Sequence, residues 1–149
     1  MISEFKRGAL SRITIWAGQD GPVPLDEGTV GVEYRGRIGH PSSYGLVAGR
    51  FSPDNAEVLV DPGLNAELAA SISVSGDRVI DGMSEPEYEA IIRKSARELG
   101  LCVVVVLAGE IGSSQVVFSR LARVLHMALI SPDLMRNDDQ VWKSWEGVQ

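Results

Sequence analysis

Residues 84–130, SEPEYEAIIRKSARELGLCVVVVLAGEIGSSQVVFSRLARVLHMALI, constrain this chain more than any other stretch. They read as helix, buried strand, tight loop and helix. Ser84 is expected to open the first helix, because Glu87 three residues on can return the capping hydrogen bond and Pro86 sits where its missing N–H costs nothing. Gly100 closes it. Leu101–Leu107 is an unbroken apolar run dominated by β-branched residues, too short to span a membrane and suited to a strand covered on both faces. The rest of the chain must supply those covers.

Helical periodicity assigns one cover directly. In the first helix Tyr88, Ile91, Ile92, Ala96 and Leu99 share a face, with Glu89 and Arg93 paired at i, i+4 on the other. In the second, Val117, Leu121, Val124, Leu125 and Ala128 form the buried stripe, Ser113 or Ser114 is the cap, and Arg120 and Arg123 lie outward. Pro132 ends that helix. Beyond it, Trp142 and Trp145 stand three residues apart on a polar background; they serve either to dock a short helix on its own domain or as a patch for a second subunit.

The first half of the chain alternates instead. Residues 1–10 read as an irregular start, and Arg12–Trp16 as a short strand. Residues 17–28 collect three glycines and two prolines, which is a loop. From Val30 to Ile38 the even positions are apolar or glycine, while Glu33, Arg35 and Arg37 face outward. After a turn at 39–43, Tyr44–Phe51 forms an antiparallel partner whose glycines at 45 and 49 mark a bulge or a close backbone approach. Glu57–Val60 adds a short strand, residues 64–70 one or two helical turns, Ser71–Val74 a weak strand, and residues 75–86 a loop. The expected architecture is α+β: a two-layer sandwich of a three- to four-stranded sheet with two helices on one face.

The 149 residues suit one domain, with residues 28–130 as its core and 131–149 as a tail. A net charge of −6 argues against a general nucleic-acid binder and for a local basic patch if any nucleic acid is bound. Cys102 is the only cysteine, which excludes an internal disulfide and fits a reducing, cytoplasmic setting. No apolar run reaches membrane-spanning length, and the N-terminus lacks the order of a signal peptide. No phosphate loop, nucleophile elbow, zinc spacing or calcium loop is present. Catalysis, cofactor and metal are therefore not expected. Asp54, Asp61, Asp77 and Asp81 read as turn residues. His126, near a helix C-terminus, is expected to favour its protonated form. Arg35, Arg37, Arg50, Arg120 and Arg123 are the side chains suited to phosphate, with pairing to neighbouring acids such as Glu33 as the plain alternative.

Order and spacing together resemble domain IV of elongation factor G and of the ribosomal protection proteins. VEYRGRI supplies Tyr34, Arg35 and Ile38 where that family has a strand with tyrosine and arginine ending in isoleucine. HPSSYGLVAGRFSP supplies Tyr44 and Pro53; SEPEYEAIIRKSARELG supplies Pro86, Tyr88, Ile92 and Gly100; SSQVVFSRLA supplies Ser113, Ser114, Phe118 and Ala122. The likeness spans roughly residues 28–130. It implies a left-handed βαβ crossover, contrary to the usual rule, and a non-enzymatic module that contacts the ribosome or RNA rather than DNA. The tip loops of the family would then place His40, Ser42 and Ser43 among the RNA-contacting residues. Both tip loops are short here: residues 108–114, AGEIGSS, lack the family's histidine, and residues 39–43 lack its lysine-rich run. Translocase activity is not carried over. The competing expectation is a homodimeric protein-interaction module built on Trp142 and Trp145.

Overall fold

The computed structural model describes residues 2–37, 42–72 and 78–147. Among them, the strands are β1 (Ile2–Arg7), β2 (Ser11–Ala17), β3 (Val30–Arg37), β4 (Ser42–Phe51), β5 (Glu57–Val58), β6 (Val79–Asp81) and β7 (Leu101–Gly109). The helices are α1 (Pro62–Ser71), α2 (Pro86–Leu99), α3 (Gln115–Ile130) and α4 (Asp138–Glu146). The α+β class is as expected. The sheet is wider: seven strands in the order β1-β2-β3-β4-β7-β5, with β6 also paired to β7.

β7 lies inside this sheet and is buried along nearly its whole length. β4 runs antiparallel along one edge. The other edge is completed in pieces, by β5 in parallel near Cys102 and Val103 and by β6 antiparallel from Leu107 to Gly109. Between them the backbone of Val106 would be left bare, and a buried strand cannot leave its amide groups unpaired. Asn65 of α1 fills the gap: its Nδ2 donates to the Val106 carbonyl at 2.7 Å and its Oδ1 accepts from the Val106 N–H at 3.2 Å. The Asn65 Nδ2 also donates to Asp81, whose Oδ1 caps the 3-10 turn Gly82–Ser84 through Met83 N–H at 2.9 Å.

Both faces of the sheet are covered, so the two-layer expectation becomes three layers. On one face Phe5, Ile13, Val32, Tyr34, Val103 and Val106 pack beneath α2, α3 and α4. On the other, Trp16, Leu46, Val105 and Leu107 pack beneath α1 and residues 18–29. That loop is held by Trp16 Nε1 donating to the Val23 carbonyl at 3.0 Å and Gln19 Nε2 donating to Leu25 at 3.0 Å. The two glycines of β4 do different work. The register slips between Ala48 and Gly49, where a Cβ would meet the Cys102 carbonyl at 2.4 Å; at Gly45 it would meet Leu121 of α3 at 2.7 Å. Bulge and close approach are both present.

Several boundaries move. Residues 2–7 are an edge strand, not an irregular start: Phe5 points into the core while its neighbours stay exposed, and six residues register against β2. α2 begins at Pro86 with Glu85 at the cap position and no side-chain cap bond; Ser84 belongs to the preceding 3-10 turn, where its Oγ donates to the Asp81 carbonyl. Gly100 does close α2, in the left-handed region at φ 69°. β6 occupies part of the expected 75–86 loop, and Ser71 ends α1, with Ile72 at its C-cap, rather than starting a strand; Ser73 and Val74 of that expected strand, like Asp77, lie outside the described residues.

Truncating Asn65 removes both partners of a buried ladder residue at once. Asn65→Ala is expected to destabilise by about 2–5 kcal/mol, read as a lower urea midpoint at unchanged slope. Asn65→Asp should do worse at neutral pH, because it cannot donate to Val106 and faces the Asp81 carboxylate, and should recover in part on acidification.

Candidate functional site

At the start of β4 and the end of β7, a set of hydroxyls and amides ties the strand ends to the loop that leads into α3. The Tyr44 N–H donates to the Gly112 carbonyl at 2.8 Å, and Ser113 Oγ donates to the Tyr44 carbonyl. Ser113 Oγ also accepts from Gly109 N–H at 2.7 Å, while its own carbonyl accepts from the Tyr88 hydroxyl at 2.8 Å. Ser114 is the cap of α3, accepting from Val117 N–H at 3.4 Å. The Tyr88 ring lies 4.9 Å from Phe118. The paired serines therefore divide their tasks: Ser113 joins β4, β7 and α2, and Ser114 starts α3.

Beneath this tip sits a buried polar group. Glu33 is 2% exposed, against the outward position its alternation predicts. It does lie on the face opposite Val32 and Tyr34, but that face is itself covered. Its carboxylate accepts from Tyr44 Oη at 2.7 Å and from Arg35 Nε at 3.1 Å and Nη2 at 3.3 Å. The Arg35 guanidinium stands 5.6 Å from the Tyr44 ring centre, within cation–π range. Burial, then the Glu33 charge and the hydrogen bond to it, push the Tyr44 phenol far above its ordinary value, with Arg35 opposing. Tyr44 is thus a fixed donor and does not exchange protons near neutrality.

Arg35 also belongs to a row that the sequence did not reveal. Strand register places Lys6 opposite Arg12, Arg12 opposite Arg35, and Arg35 opposite Tyr44. Directly opposed residues of an antiparallel pair share a face, so three cations from β1, β2 and β3 stand side by side. They line an open depression of about 350 Å³ together with the Gly8–Leu10 turn. Lys6 and Arg12 were invisible as site residues because the pairing of β1 cannot be read from a stretch with one core residue.

The other expected site residues fare differently. His40 lies outside the described residues; Arg37 and Ser42 are placed only as opposed backbone positions at the hairpin end, and Ser43 is half-buried opposite Gly36. Arg123 is not an outward cation: its Nε donates to the Ser144 carbonyl at 2.8 Å and its Nη2 to Trp145 at 2.9 Å, tying down the end of α4. Burial, then Arg120, lower its pKa from the ordinary value. Arg120 lies over the Trp145 ring at 5.7 Å. Both tryptophans are core, Trp142 at 6% and Trp145 at 2% exposure, with Trp145 stacked on Tyr34 at 4.1 Å. Neither offers an exposed aromatic patch. Arg50 Nη2 approaches Cys102 Sγ at 4.0 Å. Among the described residues no cluster of three His, Cys, Asp or Glu side chains stands ready for a metal, and no helix is long and apolar enough to cross a membrane.

No protein-family model matches the chain, and neither does any curated protein or solved structure.

Two measurements test this electrostatic picture. Tyr44→Phe deletes a hydrogen bond to a buried carboxylate and is expected to cost about 1.5–3 kcal/mol in chemical unfolding. His126, packed 5.9 Å from the Phe51 ring, has its pKa lowered by burial, contrary to the helix-end expectation. The unfolded chain therefore takes up that proton first as pH falls. The His126 contribution is complete above a pH of about 6.5 and is lost below it; His126→Gln should flatten that part of the pH–stability profile, followed by urea midpoints at successive pH values.

Proposed function

We propose that this chain is a non-enzymatic, translation-factor-like module of the elongation factor G domain IV kind, which contacts the ribosome or RNA. One observation carries the reading. Five of the residues that bear the resemblance, Tyr44, Tyr88, Ser113, Ser114 and Phe118, come together at the junction of β4, α2 and the loop that follows β7. They come from three separate stretches of the chain, around residues 44, 88 and 113–118, and their convergence supports the view that the likeness lies in how this end of the sheet is built.

The competing homodimer loses its surface, since Trp142 and Trp145 are consumed by the chain's own core. Arg120 and Arg123 are poor probes of RNA contact for the same reason: replacing them loosens α4. The tip itself offers Ser43 and the exposed Ile111, with Glu110 paired to Arg78 at 2.9 Å.

The test is cosedimentation of the purified protein with ribosomes across a salt series. The wild type is expected to pellet at low salt and to be released as salt rises, because phosphate contacts are lost with counterion uptake. Ser43→Glu, which adds a negative charge at the tip, should weaken pelleting severalfold. Absence of pelleting at low salt would overturn the reading.

A further inference from the structure

The row Lys6–Arg12–Arg35 breaks a packing rule twice over. Like charges directly opposite one another across antiparallel strands are destabilising, and here two consecutive pairs are alike. Local rules broken without a structural return are expected at functional positions. Two acids meet the row, Glu33 as the ion-pair partner of Arg35 and Glu4 near Arg12. Glu33 lies below the surface at 2% exposure and is turned toward Tyr44 as well as Arg35, so it orients the guanidinium without meeting a ligand above it. Glu4 approaches Arg12 Nη1 only at 3.9 Å, between exposed side chains. Among the described residues, Arg12 Nε is buried with no hydrogen-bond partner.

We propose that this row binds the phosphodiester backbone of a single-stranded nucleic acid, laid across β1, β2 and β3 toward the tip. The inference rests on the proposed function for the class of ligand and moves the main contact from the tip loops to the sheet. Adjacent strands are about 4.8 Å apart, so the three cations span about 10 Å. That span suits successive phosphates of one chain; a lone phosphate would reach two of the cations at most. The depression is open, which admits a passing strand. Its lining carries no exposed aromatic ring on which a base could stack. Binding is accordingly to backbone, with little sequence preference.

The experiment is fluorescence anisotropy with labelled 12-nucleotide oligouridylate and oligoadenylate over a salt series. The wild type should bind both alike. With three cations engaged, the logarithm of affinity should fall against the logarithm of salt with a slope of about −2, from roughly 0.7 per phosphate on a single strand. Lys6→Ala and Arg12→Gln should each weaken binding about three- to tenfold and flatten the slope by about 0.7. Arg12→Lys, which keeps the charge, should retain the slope, so a loss confined to Arg12→Gln is not a folding artefact. Arg97→Ala, on the exposed side of α2, should change neither.

No binding at low salt, a slope unaltered by Lys6→Ala and Arg12→Gln, or strong preference for one homopolymer would overturn the proposal. Its failure is separable from that of the proposed function. Oligonucleotide binding through the row without ribosome pelleting would sink the translation reading and leave the row standing. Ribosome pelleting that ignores Lys6→Ala and Arg12→Gln would do the reverse.

Discussion

One side-chain amide completes the strand on which everything else is stacked. β7 is a central strand whose outer edge no single neighbour covers, since β5 and β6 reach only its two ends. Without Asn65, the Val106 N–H and carbonyl would be buried and unpaired, and each such group costs about 1–3 kcal/mol. With it, α1 becomes in effect a third piece of the edge. The same asparagine meets Asp81, which caps the turn into α2. The connection from β5 to β7 therefore folds around one residue, and α1, β6 and α2 take their positions from it.

The buried strand was plain in the sequence because seven successive apolar residues of strand-forming type admit few other readings. Which residue faces which way was not. In an all-apolar run, alternation carries no contrast, and the slip opposite Ala48 and Gly49 lets Val103 and Val106 share a face although they are three apart. Gly49 hinted at the bulge; nothing in the run itself placed it. The helices were legible from their stripes, and both Gly100 and Ser114 end or begin them as expected. Ser84 misled because a capping box was written in sequence while Asp81 captured the turn one step earlier.

What stayed hidden depends on contacts distant in sequence. β1 has a single inward anchor, Phe5, so its pattern resembles a frayed end until β2 supplies a partner. Glu33 alternates as a surface residue does, yet the face it joins is closed by a loop whose glycines and prolines gave no sign that Val23 and Leu25 would be buried. The tryptophans and Arg123 form one assembly: Trp145 stacks on Tyr34, Trp142 is buried on the same helix, and the guanidinium holds the helix end that carries them. A sequence shows two exposed-looking features there, and the fold consumes both.

The charge distribution follows from these same constraints. A chain of net charge −6 is repelled by polyanions at long range, and screening confines such interactions to about 10 Å at ordinary salt. Only a cluster of cations held closer together than that distance can reverse the local sign. Solvated arginines on a helix would be free to pair with neighbouring acids one at a time, as Arg93 does with Glu89. Strand register leaves Arg35 paired with Glu33 and Arg12 near Glu4, but it sets where the cations stand. It fixes Lys6, Arg12 and Arg35 beside one another at the interstrand spacing, while Glu33 is kept beneath the surface by its bond to Tyr44. The hydroxyl that stabilises a buried carboxylate thereby also fixes the place of Arg35, the ion-pair partner of that carboxylate, in the row.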